Sequence, residues 1–200
     1  KNFENFPAQE KIYNVFNTKN HKIINNNILS LNICLRTCIN KKRIREGKNK
    51  LTKVSYEKHF LKCIHSLVIA TNEAVKNNKN VSLTVFDDHS EASSICKIEL
   101  LLNKLKCNWR VITTKVSGQG ESLYEQFDFC RDKNSLFYFC EDDYLHTRNA
   151  VNEMIDFYKN TYLETDSHLL IHPQEHELIY SQINYPSYIL LGEHRRWRTI

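Results

Sequence analysis

Ser135-Leu136-Phe137-Tyr138-Phe139-Cys140 runs directly into Glu141-Asp142-Asp143-Tyr144. A short apolar run bounded by polar residues reads as a strand covered on both faces, as in a parallel sheet. Acids crowded at the carboxyl end of such a strand repel one another, and a divalent cation is their commonest neutraliser. The same pattern recurs upstream. Residues 28–35 alternate, carry β-branched side chains and end on Arg36-Thr37. Residues 81–86 form a second candidate strand that ends on Asp87-Asp88-His89-Ser90, and a third is expected over 109–114. Between the first two, Phe60, Ile64, Leu67, Val68, Thr71 and Val75 recur at helical spacing. Further helices are expected over 91–105, 121–131 and 148–158, with a turn at Ser117-Gly118-Gln119-Gly120.

Strand and helix thus alternate four times. That order implies right-handed crossovers and an open α/β fold: a mostly parallel sheet flanked by helices on both faces. Ligands of such sheets gather at the carboxyl ends of the strands, near the point where the strand order reverses. Arg36-Thr37, Asp87-Asp88 and Glu141-Asp142-Asp143 are all expected on that edge. Residues 167–172 and 187–191 are further strand candidates. Residues 1–27 read as an arm with a short helix over 7–16, Pro7 suiting its first turn. Residues 28–200 read as one domain.

Composition narrows the function. A hydrophobic fraction of 41% supports a real core, and only 4 Gly and 3 Pro exclude collagen-like or low-complexity structure. The net charge of +5 fits a phosphate-bearing partner or a peripheral contact with an anionic membrane, without implying specific nucleic-acid recognition. Seven Cys with no C-x-x-C pair read as reduced core thiols in a cytoplasmic setting. No stretch approaches the ~20 apolar residues of a membrane span. Asn80-Val81-Ser82 matches a glycosylation sequon, a pattern short enough to arise by chance. The basic run Lys41–Lys50 reads as a solvated loop, or more sharply as a flap over a diphosphate. A start without Met and an end at Ile200 inside a charged segment suggest a fragment.

No glycine-rich turn follows the first strand, which argues against dehydrogenases, methyltransferases and P-loop NTPases. Asp87 and Asp88 can accept hydrogen bonds from a base N–H or ribose hydroxyls. They can also cap the helix after them, one Asp capping while the other binds. The hard oxygens of Glu141-Asp142-Asp143 suit Mg²⁺ or Mn²⁺. Together the clusters read as a nucleoside diphosphate site.

Leu29–Arg36, Thr84–Ser90, Ser117–Gly120 and Phe137–Asp143 together resemble the landmarks of GT-A glycosyltransferases of the family-2 type, across residues 28–158. The resemblance implies a GT-A, Rossmann-like domain that moves a sugar from a nucleotide sugar (UDP-, GDP- or dTDP-linked) to a hydroxyl of a glycan or lipid-linked acceptor. It implies that Asp88 binds the base with Asp87 beside it, and that Arg36 brackets the base. Gly118 and Gly120 would bring backbone near the nucleotide sugar, and Asp142 would lie by the ribose or sugar. Glu141-Asp142-Asp143 stands at the D-x-D position, with Glu for the commoner Asp; Asp143 and Glu141 would ligate the metal. Mn²⁺ or Mg²⁺ would act as Lewis acid for the departing diphosphate. The carboxylate base would be Glu193, or a residue beyond Ile200. His194 would be a metal or phosphate ligand, and Arg195 and Arg196 would pair with the diphosphate. The setting would be cytoplasmic, including the cytosolic face of a membrane.

Three alternatives stand beside this reading. A sugar-phosphate nucleotidyltransferase would need a glycine-rich basic loop, and the basic run here has one Gly, Gly47, and sits late. A truncated, inactive GT-A domain would bind without turnover. A nuclease would need a Lys beside the acids, and none stands there. His146, His168, His172 and His176 read as surface or strand-end residues, and Phe127, Phe129, Tyr138 and Phe157 as core. The sugar, the acceptor and the oligomeric state stay open.

Overall fold

The computed structural model describes residues 12–14, 30–40, 55–173, 189–192 and 195–199. In chain order the elements are β1 (Ile12–Asn14), β2 (Ser30–Thr37), α1 (Tyr56–Lys76), β3 (Asn80–Asp87), α2 (Ala92–Leu102), β4 (Trp109–Thr113), α3 (Gln119–Cys130), β5 (Leu136–Glu141), α4 (Ala150–Thr165), β6 (Ile171–His172), β7 (Ile189–Leu191) and β8 (Arg196–Thr199). The chain divides into two compact units, Asn27–Asn152 and Lys1–Asn26 with Glu153–Ile200.

The first unit is an α/β layer structure. Its sheet has the order β4-β3-β2-β5, and every pairing is parallel. Leu31, Ile33, Cys34 and Leu35 of β2 and Val81, Leu83, Val85 and Phe86 of β3 are buried, as central strands covered on both faces should be. Helix α1 starts at Ser55, whose hydroxyl accepts from Lys58 N at 3.4 Å, and Glu57 complements the positive helix end. Phe60, Cys63, Ile64, Leu67, Val68, Thr71 and Ala74 form its buried face, three and four residues apart. Helices α1 and α2 share one side of the sheet. Ser94 Oγ donates to Glu57 at 2.9 Å, and Asn72 bonds Lys104 O and Lys106 N, each at 2.8 Å. The chain steps from β2 through β3 to β4, then returns past β2 to β5. With right-handed crossovers that return puts α3 on the opposite face. Ring contacts of Phe129 with Phe86 (5.4 Å) and of Phe127 with Phe139 (4.9 Å) seat it there.

Several expectations need correction. β5 is the edge of the sheet among the described residues, so 136–139 are only half-buried rather than covered on both faces. Phe127 is exposed, because α3 turns Ser122 and Gln126 inward instead. Helix α4 continues to Thr165, and the strand expected over 167–172 is confined to Ile171–His172. The seven cysteines are unbridged, but Cys96 is exposed rather than core. No helix among the described residues is long and apolar enough to cross a membrane.

The second unit is a small mixed sheet of order β1-β7-β8-β6. β1 runs parallel to β7, and β8 is antiparallel to both β7 and β6. Residues 12–14 are therefore strand, not the helix expected over 7–16. Ile12 and Tyr13 are strand formers, and β7 satisfies the backbone of this short segment. The other residues of that expected helix lie outside the described residues. Phe157, Leu190 and Trp197 form the core, with the rings of Phe157 and Trp197 stacked at 4.3 Å.

One half-buried histidine, expected at the surface, should make the first unit acid-sensitive. His146 N donates to Ser66 Oγ at 2.9 Å, and its Nε2 meets Tyr138 Oη at 3.0 Å. Burial pushes the imidazole down to about 4, while the Tyr144 backbone pulls the other way. An unfolded histidine titrates near 6.5, so between pH 6.5 and 4 the unfolded chain holds more protons than the folded one. Stability falls as pH drops through that window, by about 3 kcal/mol near pH 4. Urea midpoints at pH 7 and 4.5 should show the loss, and His146→Phe should shrink it. An imidazole titrating above 6 by NMR contradicts this account.

Candidate functional site

Register decides which side chains become neighbours at the carboxyl edge. Thr37 pairs with Asp87, and Arg36 pairs with both Phe86 and Glu141. The strand order reverses between β2 and β5, and there the edge opens into a crevice of roughly 260 Å³. Arg36, Thr37, Cys38, Asp88, Gln119, Glu141 and Asp142 line it.

The two aspartates after β3 have different surroundings. Asp87 is buried; its carboxylate accepts from Thr37 Oγ1 at 3.0 Å and from Ser90 N at 3.2 Å. Its carbonyl accepts from Thr114 N at 2.9 Å. Asp87 thus ties three strand ends together. It does not cap α2, whose N-cap is Glu91 without a side-chain bond. His89 follows in the left-handed region, φ 56°, and the turn leaves Asp88 on the crevice wall. The Asp88 carboxylate accepts from Gly118 N at 3.1 Å, and His89 Nδ1 lies 3.4 Å away. Gly118 has φ 138°, and a Cβ there would collide with the Glu121 carboxylate. Gly120 lies in the first turn of α3 with open space around it, so Gly118 alone of the pair is required by the backbone.

The third cluster also splits. Asp142 is buried, and its Oδ2 accepts from Cys38 N at 3.0 Å. Glu141 forms an ion pair with Arg36, whose guanidinium also reaches Gln119 O at 3.5 Å. Asp143 is exposed and stands outside the lining. The acids leave an electrostatic mark on nearby groups. Burial, then Asp143 and Asp142, push the Cys63 thiol up to about 11. Burial, then Glu141 and Asp143, raise the Tyr144 phenol, with Arg36 opposing.

Among the described residues no three His, Cys, Asp or Glu are grouped to hold a metal ion. Glu193 and His194 lie outside the described residues. Arg195 is paired with Glu153 in the second unit, and Arg196 is exposed on β8. Of the two expected ligands, Glu141 lines the crevice but is paired with Arg36, and Asp143 is exposed outside the lining; both carry hard oxygens. They fit a Mg²⁺ or Mn²⁺ ion that takes the rest of its shell from water and a diphosphate, not a self-sufficient protein cage. Cys38 completes the lining without any signal in the sequence, while Thr37 and Gln119 stand in the expected edge cluster and turn without an expected ligand role. The Cys38 N–H and the Gln119 carbonyl take part through backbone, which side-chain chemistry does not reveal. No family model matches the sequence, and no curated protein matches it.

Proposed function

We propose that the first unit is a GT-A domain of the family-2 type and that the protein is a metal-dependent glycosyltransferase. It would move a sugar from a UDP-, GDP- or dTDP-linked donor to a hydroxyl of a glycan or lipid-linked acceptor. One observation carries the reading: Arg36, Asp88, Glu141 and Asp142, from three strand ends far apart in sequence, line a single crevice at the switch point. Asp88, held by Gly118 N, accepts a base N–H or a ribose hydroxyl. Arg36 offers charge-assisted bonds to phosphate oxygens. Asp143 and Glu141 would hold Mn²⁺ or Mg²⁺, which when bound supplies Lewis-acid stabilisation of the leaving diphosphate. Glu193 is proposed as the base toward the acceptor. The unbridged thiols support a reducing, cytoplasmic setting.

Titration calorimetry with UDP, GDP and dTDP, each with and without Mn²⁺, tests the proposal. One nucleotide should bind, more tightly with Mn²⁺. Asp143→Ala should weaken the Mn²⁺-dependent binding at least about tenfold and leave the metal-free affinity unchanged. Absence of binding by all three at millimolar concentration, with Asp143→Ala indistinguishable from the parent, sinks the transferase reading.

A further inference from the structure

The two edges of the parallel sheet differ in chemistry. The crevice and its acids lie at the carboxyl edge. At the amino edge, the turns 103–108 and 131–135 carry Lys104, Lys106, Arg131 and Lys133, and Arg110 follows as the second residue of β4. All of these side chains are exposed. The acid on the two turns is Asp132, while Asp128 of α3 holds Arg131 at 3.1 Å. Arg110 and Lys133 meet over one ring. The guanidinium carbon lies 4.6 Å and the ammonium 2.9 Å from the Phe129 centroid. The ring attracts both cations, yet they repel one another, and an anion beside them relieves that repulsion.

The neighbouring sequence says what kind of anion. In Leu100-Leu-Leu-Asn-Lys-Leu-Lys106, Leu102 is buried and Leu101 and Leu105 are half-buried, but Leu100, on the last turn of α2 beside the exposed Lys104 and Lys106, is 66% exposed. Phosphate charge alone accounts for the basic residues but gives an exposed leucine nothing to enter. A surface that is acidic at its headgroups and apolar just beneath them satisfies both.

We propose that the amino edge of the sheet docks on a bilayer of acidic phospholipids, with lipid phosphates at Arg110 and Lys133 and Leu100 at the headgroup–acyl boundary. This does not rest on the transferase reading, because the crevice occupies the other edge.

Co-sedimentation of the full chain with vesicles of phosphatidylcholine, with and without about 30 mol% phosphatidylserine, tests it. Binding should require the acidic lipid and fall as salt rises. Each lysine near such a surface contributes about fivefold to partitioning, so Lys106→Glu/Lys133→Glu, which also adds two repelled carboxylates, should lower it at least about 25-fold. Lys58→Glu/Lys62→Glu, the same change in charge on exposed positions near the start of α1, should lower it less than about threefold. Leu100→Gln should lower vesicle binding severalfold and leave the affinity for a DNA duplex unchanged. Both double variants should keep the parent's thermal midpoint and nucleotide affinity. Equal losses in the two double variants, an unchanged Leu100→Gln protein, or release of the protein by millimolar inorganic phosphate at constant ionic strength would each overturn the docking.

Discussion

Asp142→Ala is expected to lower nucleoside diphosphate affinity about 100-fold and stability by about 1–3 kcal/mol. Both losses come from one carboxylate in two roles. It is buried at the crevice wall and accepts a hydrogen bond from Cys38 N at 3.0 Å. Alanine takes that acceptor away from Cys38 N and removes a negative charge that would help hold the proposed cation and, through it, the diphosphate. A buried donor without an acceptor costs more than the net worth of the bond it made, because its desolvation is then uncompensated. The rim formed by Thr37 and Cys38 would also loosen, and a misplaced rim costs affinity without touching the ligand.

Asp142→Asn separates the two roles. The amide keeps an oxygen for Cys38 N, so most of the stability should return, as measured by urea unfolding. The charge is still gone, and with it part of the attraction for the Mn²⁺ proposed at Asp143 and Glu141, so calorimetry with Mn²⁺ should still show weakened binding. A stable asparagine variant that binds nucleotide as the parent does would mean the Asp142 charge serves the fold alone. The crevice would then lose one of its four proposed contacts.

How much of this was legible beforehand depended on length and locality. The helix around Phe60 and the strands ending at Arg36, Asp87 and Glu141 announce themselves through periodicity, and each was placed within about two residues. The short strands were not legible. Ile12–Asn14 has three residues, too few for a period, and is strand only because Ile189–Leu191 lies beside it. Arg196–Thr199, in a charged tail, gave no apolar alternation for the same reason. Helix α3 misled more deeply. Phe127 reads as core, yet its ring is half exposed where it leans on Phe139, while Ser122 and Gln126 are buried. The sheet face beneath it holds polar groups such as Thr84 and Arg36, which smaller polar side chains suit better. The acids of the site were visible as residue types. Their division of labour was not, since Asp87 as a tie and Asp88 as lining follow from the turn at His89, and the Arg36–Glu141 pair follows from strand order.

Phe60→Ala should cost about 3–5 kcal/mol, a large part of the roughly 5–15 kcal/mol that holds a domain of this kind together. Phe60 is 2% exposed on the first full turn of α1. Its ring stacks on Tyr56 at a centroid distance of 5.9 Å and meets His59 edge-on at 5.9 Å. Removing it leaves a void that neighbours on a packed sheet cannot fill, so the cavity adds to the lost transfer energy. Phe60→Leu keeps most of the volume and should cost about 1–2 kcal/mol. Guanidinium unfolding gives both numbers, and a cost below about 1 kcal/mol for alanine would mean that α1 does not pack as described. The crevice offers a second readout. Nucleotide at 100 times its Kd should raise the stability of any folded form with an intact site by about 2.7 kcal/mol. The alanine variant should gain the same increment as the parent, because Phe60 supports the sheet from one face and is absent from the crevice lining. A smaller increment would show that the packing of α1 also sets the shape of the carboxyl edge, so that core and site respond to the cavity as one unit.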